Sequence, residues 1–89
     1  DNIYINGVNQ TLDSAGSWNG TLDNPQSKLG EATFSGSSFN YTGNIDEVSV
    51  WNTALSSDAV TEIYNSGAPN DLTSLTNASN TNLKAWYKF

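Results

Sequence analysis

Residues 43–64, GNIDEVSVWNTALSSDAVTEIY, decide how this chain is read. Gly43-Asn44 is a turn pair, and Ile45 to Trp51 is rich in β-branched and aromatic residues, which predicts a strand. Alternation places Asp46, Val48 and Val50 on one face and Ile45, Glu47, Ser49 and Trp51 on the other. An apolar residue at each end of the second face predicts a strand covered on both sides, or a bulge near Asp46-Glu47 that re-aims Ile45. After Asn52-Thr53 the period changes. Leu55, Ser56 and Val60 occupy the N′, N-cap and N4 positions of a hydrophobic staple, and Asp58 puts negative charge in the first turn. Val60, Ile63 and Tyr64 form an i, i+3, i+4 stripe, and Gly67 with Pro69 supplies the stop. The pattern predicts one short helix near residues 57–66. At such a length it holds only by packing against something else.

Upstream, Asn2 to Thr11 (NIYINGVNQT) carries a hairpin signal, because Asn6-Gly7 suits a type I′ turn between Ile3/Ile5 and Val8. Leu12 to Ser27 is turn-rich, with Trp18 as its large apolar residue. Lys28 to Thr33 (KLGEAT) reads as a strand. Phe34, Phe39 and Tyr41 flank a Ser/Gly turn at residues 35–38. Downstream, Ala68 to Asn82 has no sustained period and reads as a connection. Leu83 to Phe89 (LKAWYKF) alternates Leu83, Ala85, Tyr87 and Phe89 against Lys84, Trp86 and Lys88.

These segments resemble LamG-like domains of the concanavalin A-like lectin/glucanase superfamily. The G-x-I-D-E-V-x-V-W-N-x-A-L-S wording of residues 43–56 is similar to a segment near the C-terminal end of such domains. The I-Y-I-N-G-V of residues 3–8 resembles a hairpin found upstream of it. The "L-x-I-G" strand is matched less closely, because Gly30 directly follows Leu29. Leu83 to Phe89 resembles the family's opening L-V-A-W-Y-x-F strand.

The resemblance implies an all-β fold, an antiparallel β-sandwich of the jelly-roll kind with one short α-helix. Such a sandwich needs about eight strands in two sheets, and five or six are visible. Residues 1–73 are therefore expected to form the C-terminal half of one domain, and residues 74–89 a linker plus a strand. That strand either starts a following repeat, the preferred reading, or returns to the same sheet. The opening residues already read as a strand, so a longer parent polypeptide or a mature product is expected.

Composition narrows the function. A charge of −6 with three lysines and no arginine gives no basic surface for nucleic acid. No apolar run approaches the length of a membrane span, so no membrane insertion is expected. The absence of cysteine and histidine removes disulfides, thiolate metal sites and Ser-His or Cys-His nucleophilic machinery. Glycoside hydrolases share the implied fold and carry an E-x-D-x-E strand. Glu31, Glu47 and Glu62 form no such pattern, and a non-enzymatic role is expected.

Two candidate site residues follow. By the resemblance, Asp46 is the candidate ligand of a structural Ca²⁺, with backbone carbonyls and waters completing roughly six to eight oxygens. The competing reading has Asp46 capping a turn or forming a bulge. Trp18 is the candidate glycan platform, against a competing role as a loop anchor. Trp51 occupies the family's structural position and is expected in the core. Of the sequons at Asn9, Asn19, Asn40 and Asn77, several are expected by chance in so Asn-, Ser- and Thr-rich a chain, and they carry meaning only on a glycosylating secretory path.

The expected function is a non-catalytic module at an extracellular, cell or virion surface, with adhesive, glycan-binding or spacer duty inside a larger protein. Its partners are then glycans and the other domains or subunits of its parent. The alternative is a purely structural assembly subunit, a decoration or fibre protein. A domain attached to a carbohydrate-active enzyme is the third reading.

Overall fold

The computed structural model describes residues 2–12 and 28–89. Its strands form three separate two-stranded antiparallel ladders, accompanied by one helix.

The first ladder pairs β1 (Tyr4–Ile5) with β2 (Val8–Asn9). Asn6 and Gly7 connect them with φ of 51° and 76°, the two positive values that a type I′ turn demands. The second pairs β3 (Glu31–Phe34) with β4 (Ser37–Asn40) around Ser35 (φ 49°) and Gly36 (φ 78°). The Ser/Gly turn is thus the two-residue pair 35–36, and Ser37-Ser38 already belong to the strand. Gly30 also takes a left-handed φ, 79°, so the strand opens at Glu31 rather than at Lys28.

The third ladder joins β5 (Val48–Trp51) to β6 (Leu83–Tyr87). Here the expected strand is shortened. Glu47 sits at φ 52°, a left-handed conformation costly for a non-glycine residue, and pairing starts only at Val48. The irregularity at Asp46-Glu47 is therefore a break in the strand. A second irregularity lies between Val50 and Trp51, where the register shifts so that Val50 faces Ala85 but Trp51 faces Leu83.

Helix α1 (Ser57–Tyr64) starts at the predicted cap: the Ala59 N–H donates to Ser56 Oγ at 3.2 Å. It ends two residues early. Asn65, Ser66 and Gly67 all take positive φ (44°, 56° and 86°), which turns the chain out of the helix before Pro69. Eight residues do not hold as an isolated helix, and α1 is fixed by tertiary contact. Ala59 on α1 and Leu72 beyond it are the two fully buried apolar residues among those described. Residues 68–82, expected to be a plain connection, include Leu72 and a short 3-10 turn at Asn80–Asn82.

The hairpin β1–β2 rests on the helix. A Cβ built on Gly7 would lie 2.9 Å from Tyr64 Cδ1, so the turn closes onto the tyrosine ring only because residue 7 is glycine. The core elsewhere is open. Phe89, Leu29 and Val8 are 77%, 63% and 62% exposed. The radius of gyration, 14.8 Å, exceeds the roughly 12 Å of a compact chain this long. The described residues thus show an all-β-like arrangement of small sheets with one helix.

Candidate functional site

The chemistry-bearing residues of the organising stretch gather at the corner between Gly43 and Val48. Tyr41 folds over this corner: a Cβ on Gly43 would stand 2.6 Å from its hydroxyl oxygen, so only glycine fits beneath it. The Asp46 carboxylate then holds the turn from the inside. Its Oδ1 accepts the Glu47 N–H at 2.8 Å and the Phe89 N–H at 2.9 Å. These two amides, with that of Phe89 the stronger influence, hold the Asp46 carboxyl below its ordinary range.

Glu47 works alongside it. Its left-handed backbone sends the side chain toward β6, where Oε2 accepts the Trp86 indole N–H at 2.7 Å. Lys88 closes over the other part of that indole, with Nζ 3.7 Å from the ring centroid. Asp46 and Glu47, adjacent in sequence, therefore hold two points of the C-terminal segment, one within β6 and one just past it. Both carboxylates accept hydrogen bonds from neutral N–H donors.

A groove of about 330 Å³ lies beside this corner, lined by Asp46, Glu47, Ile63, Tyr64, Pro69 and Leu72. Calcium would need roughly six to eight oxygens. Among the described residues no three acidic, histidine or cysteine side chains gather. Asp46 has one oxygen already committed to two N–H donors. Trp18, the candidate glycan platform, lies outside the described residues.

The other two glutamates stand elsewhere. Glu31 pairs with Lys28 at 2.8 Å, and that lysine is the main reason its carboxyl is more acidic than usual. Glu62 was not singled out by any motif, yet it organises the loop that follows α1. Its Oε1 accepts the Thr76 N–H at 2.7 Å, and its Oε2 accepts the Asn77 N–H and side-chain amide at 2.8 and 2.9 Å. Those N–H groups, Thr76 first, lower its pKa. Asn70 adds a bond of 2.9 Å to the Glu62 carbonyl. No local signal announces this staple, because its partners follow 14 and 15 residues later.

A larger concavity of about 570 Å³ opens between the first hairpin and the start of α1. Tyr4 and Trp51 supply its aromatic surface, and Ala54, Leu55 and Val60 its aliphatic surface. Trp51, expected in the core, is only half-buried and lies in this concavity. Its indole N–H donates to Ser49 Oγ at 3.0 Å, which fixes the ring orientation.

No family model matches the chain, and no curated protein or solved structure matches it either.

Proposed function

We propose that this chain belongs to a LamG-like jelly roll, forming its C-terminal half, and serves as a non-catalytic module at an extracellular, cell or virion surface. Its duty is adhesion through glycans, or spacing, within a larger protein. The supporting observation is the apolar surface left open on the ladders. Val50 and Tyr87, diagonal neighbours on the β5–β6 ladder where Tyr87 pairs with Val48 and Val50 with Ala85, are 52% and 54% exposed. Two-stranded ladders are marginal alone in water, and a second sheet packed about 10 Å away would cover such residues. The reading carries Leu83–Tyr87 as a strand of this same sheet, supported by its pairing with Val48–Trp51.

The test is to express a polypeptide long enough to contain a whole sandwich and to screen it on glycan arrays with and without calcium. Saturable binding to a defined glycan supports adhesion. A folded domain that binds none of them leaves the spacer role.

The same open faces favour a second reading, a structural assembly subunit whose sandwich is completed by another chain. Sedimentation of the 89-residue chain separates the two: a discrete stable oligomer supports assembly, and a monomer supports completion within one polypeptide.

A further inference from the structure

We infer that residues 68–89 exchange between two copies of this chain, giving a dimer in which β6 of each copy pairs with β5 of the other. The inference rests on the assembly reading above and deepens it, naming the partner as a second copy and the segment that joins the two. Three observations carry it. The first is the hinge. α1 stops at Tyr64 although the sequence pattern carries a helix to residue 66, and the chain turns away through Asn65, Ser66 and Gly67, all left-handed. Asparagine and glycine tolerate that conformation, but Ser66, at φ 56° and ψ 29°, holds it against its own Cβ. Little packing rewards the turn. Residues 65–69 are exposed, and a Cβ on Gly67 would meet nothing within 4 Å. A helix continued to Gly67 removes the strain and gives the Glu62 carbonyl the Ser66 N–H in place of its bond from Asn70. It stops there, because the residue before Pro69 avoids the helical backbone. Straightened in this way, the hinge carries residues 68–89 away from their own copy, and short strained hinges are the places that invite such exchange.

The second is what the segment holds on to. β6 pairs with β5, Trp86 and Phe89 bond to Glu47 and Asp46, and Thr76 and Asn77 bond to Glu62. The Asn82 carbonyl also accepts the Asn52 N–H at 3.0 Å. Each of these bonds joins residues 68–89 to residues 46–62, so each is remade whichever copy supplies the segment. The closed and exchanged forms then differ chiefly in the hinge and in the entropy of bringing two chains together, which concentration offsets.

The third is charge. Residues 68–89 hold two lysines and one aspartate, a net +1, whereas residues 1–67 hold one lysine and eight acidic residues, a net −7. Whole chains of −6 repel one another, but exchange sets the positive segment of each copy on the acidic body of the other.

The experiment uses introduced thiols, which report strand pairing cleanly because the chain has no cysteine. Val50 and Ala85 face each other across the ladder, at a separation that a disulfide can span. Val50→Cys and Ala85→Cys are made in separate copies of the 89-residue chain, mixed in urea, refolded at low and at high concentration, and oxidised with glutathione disulfide. Sedimentation of the unsubstituted chain, refolded in the same way, gives the oligomeric state. A dimer at high concentration is expected, with disulfides joining unlike chains in excess over those joining like chains. Ser66→Gly should weaken dimerisation about tenfold by relieving the closed hinge, and Ser66→Ala should strengthen it. A dimer with no preference for unlike chains overturns the exchange and leaves the assembly reading standing. A monomer at every concentration overturns both. Equal dimerisation by the two Ser66 variants and the unsubstituted chain also overturns the exchange, since the hinge then makes no difference.

Discussion

Phe89 donates its backbone N–H to Asp46 Oδ1 at 2.9 Å, joining positions 43 residues apart. The bond lies just past the end of the β5–β6 ladder and ties down its terminal strand where pairing has stopped. Asp46→Ala should therefore raise amide exchange at Phe89 and along Ala85 to Tyr87. Asp46→Asn keeps an acceptor and should protect Phe89 better than the alanine variant. Equal exchange in all three chains would mean that the bond does not hold the strand.

Acid should loosen the same corner and the loop beyond α1. Asp46 and Glu62 are both more acidic in the folded chain than their ordinary values of 3.8 and 4.5. The unfolded chain then takes up protons first, so stability rises with pH in this region. The contribution is fully present above about 4.5 and is lost as pH falls through the lower folded values. Urea midpoints measured from pH 7 down to 2.5 should fall below 4.5. Glu62→Gln should flatten that fall, because it removes one of the titrating groups.

The two hairpin glycines should respond differently to a methyl group. Gly7 and Gly36 share nearly the same φ, 76° and 78°, but only Gly7 has Tyr64 against it. Gly36→Ala should cost about 1–2 kcal/mol for the left-handed backbone alone. Gly7→Ala should cost a further amount of about 1–3 kcal/mol from overpacking. Thermal midpoints of the two variants give the comparison, and equal losses would show that the hairpin does not rest on the helix.

Ser56→Ala should destabilise the chain by about 1 kcal/mol, the ordinary loss for an N-cap hydroxyl. Ser56→Asp should restore it, since aspartate caps as well and adds a favourable charge at the helix start. Far-ultraviolet circular dichroism against urea would show both effects.

Glu47 combines an unfavourable φ of 52° with a bond to the Trp86 indole. Glu47→Gly should relieve the backbone and release the indole, moving the Trp86 side-chain N–H resonance toward that of free tryptophan. Glu47→Gln should leave that resonance near its place. Coincident resonances in the two variants would show that the carboxylate does not set the indole's environment.

Local chemistry was the legible part of this molecule. The Asn6-Gly7 turn and the Ser56 cap each act within a few residues, so their residue types announce them. What depended on distant partners was hidden. Glu62 looks like a solvent-facing helical carboxylate until the loop at Thr76 and Asn77 arrives, and Leu72 reads as one apolar residue in a polar connection. The Ser35-Gly36 turn is narrower than the Ser/Gly run 35–38 suggests, because serine, unlike asparagine, gives little notice of a positive φ. At the candidate calcium residue, the alternation of a strand was the wrong rule. The backbone inverts at Glu47, and the destinations of both acids follow from that inversion.

The β5–β6 ladder has a kinetic consequence. Its two strands are separated by α1 and the whole following loop, whereas each of the other ladders closes over a two-residue turn. The hairpins should form within microseconds, and β5 must wait for a distant partner. Closure is made shorter in effect by α1 and by the Glu62 staple, which draw Thr76 and Asn77 back beside the helix. During synthesis β5 is therefore a bare edge, available to other nascent chains, until β6 has left the ribosome. Once β6 has emerged, Glu62, remote from either strand in sequence, shortens the closure that ends the exposure.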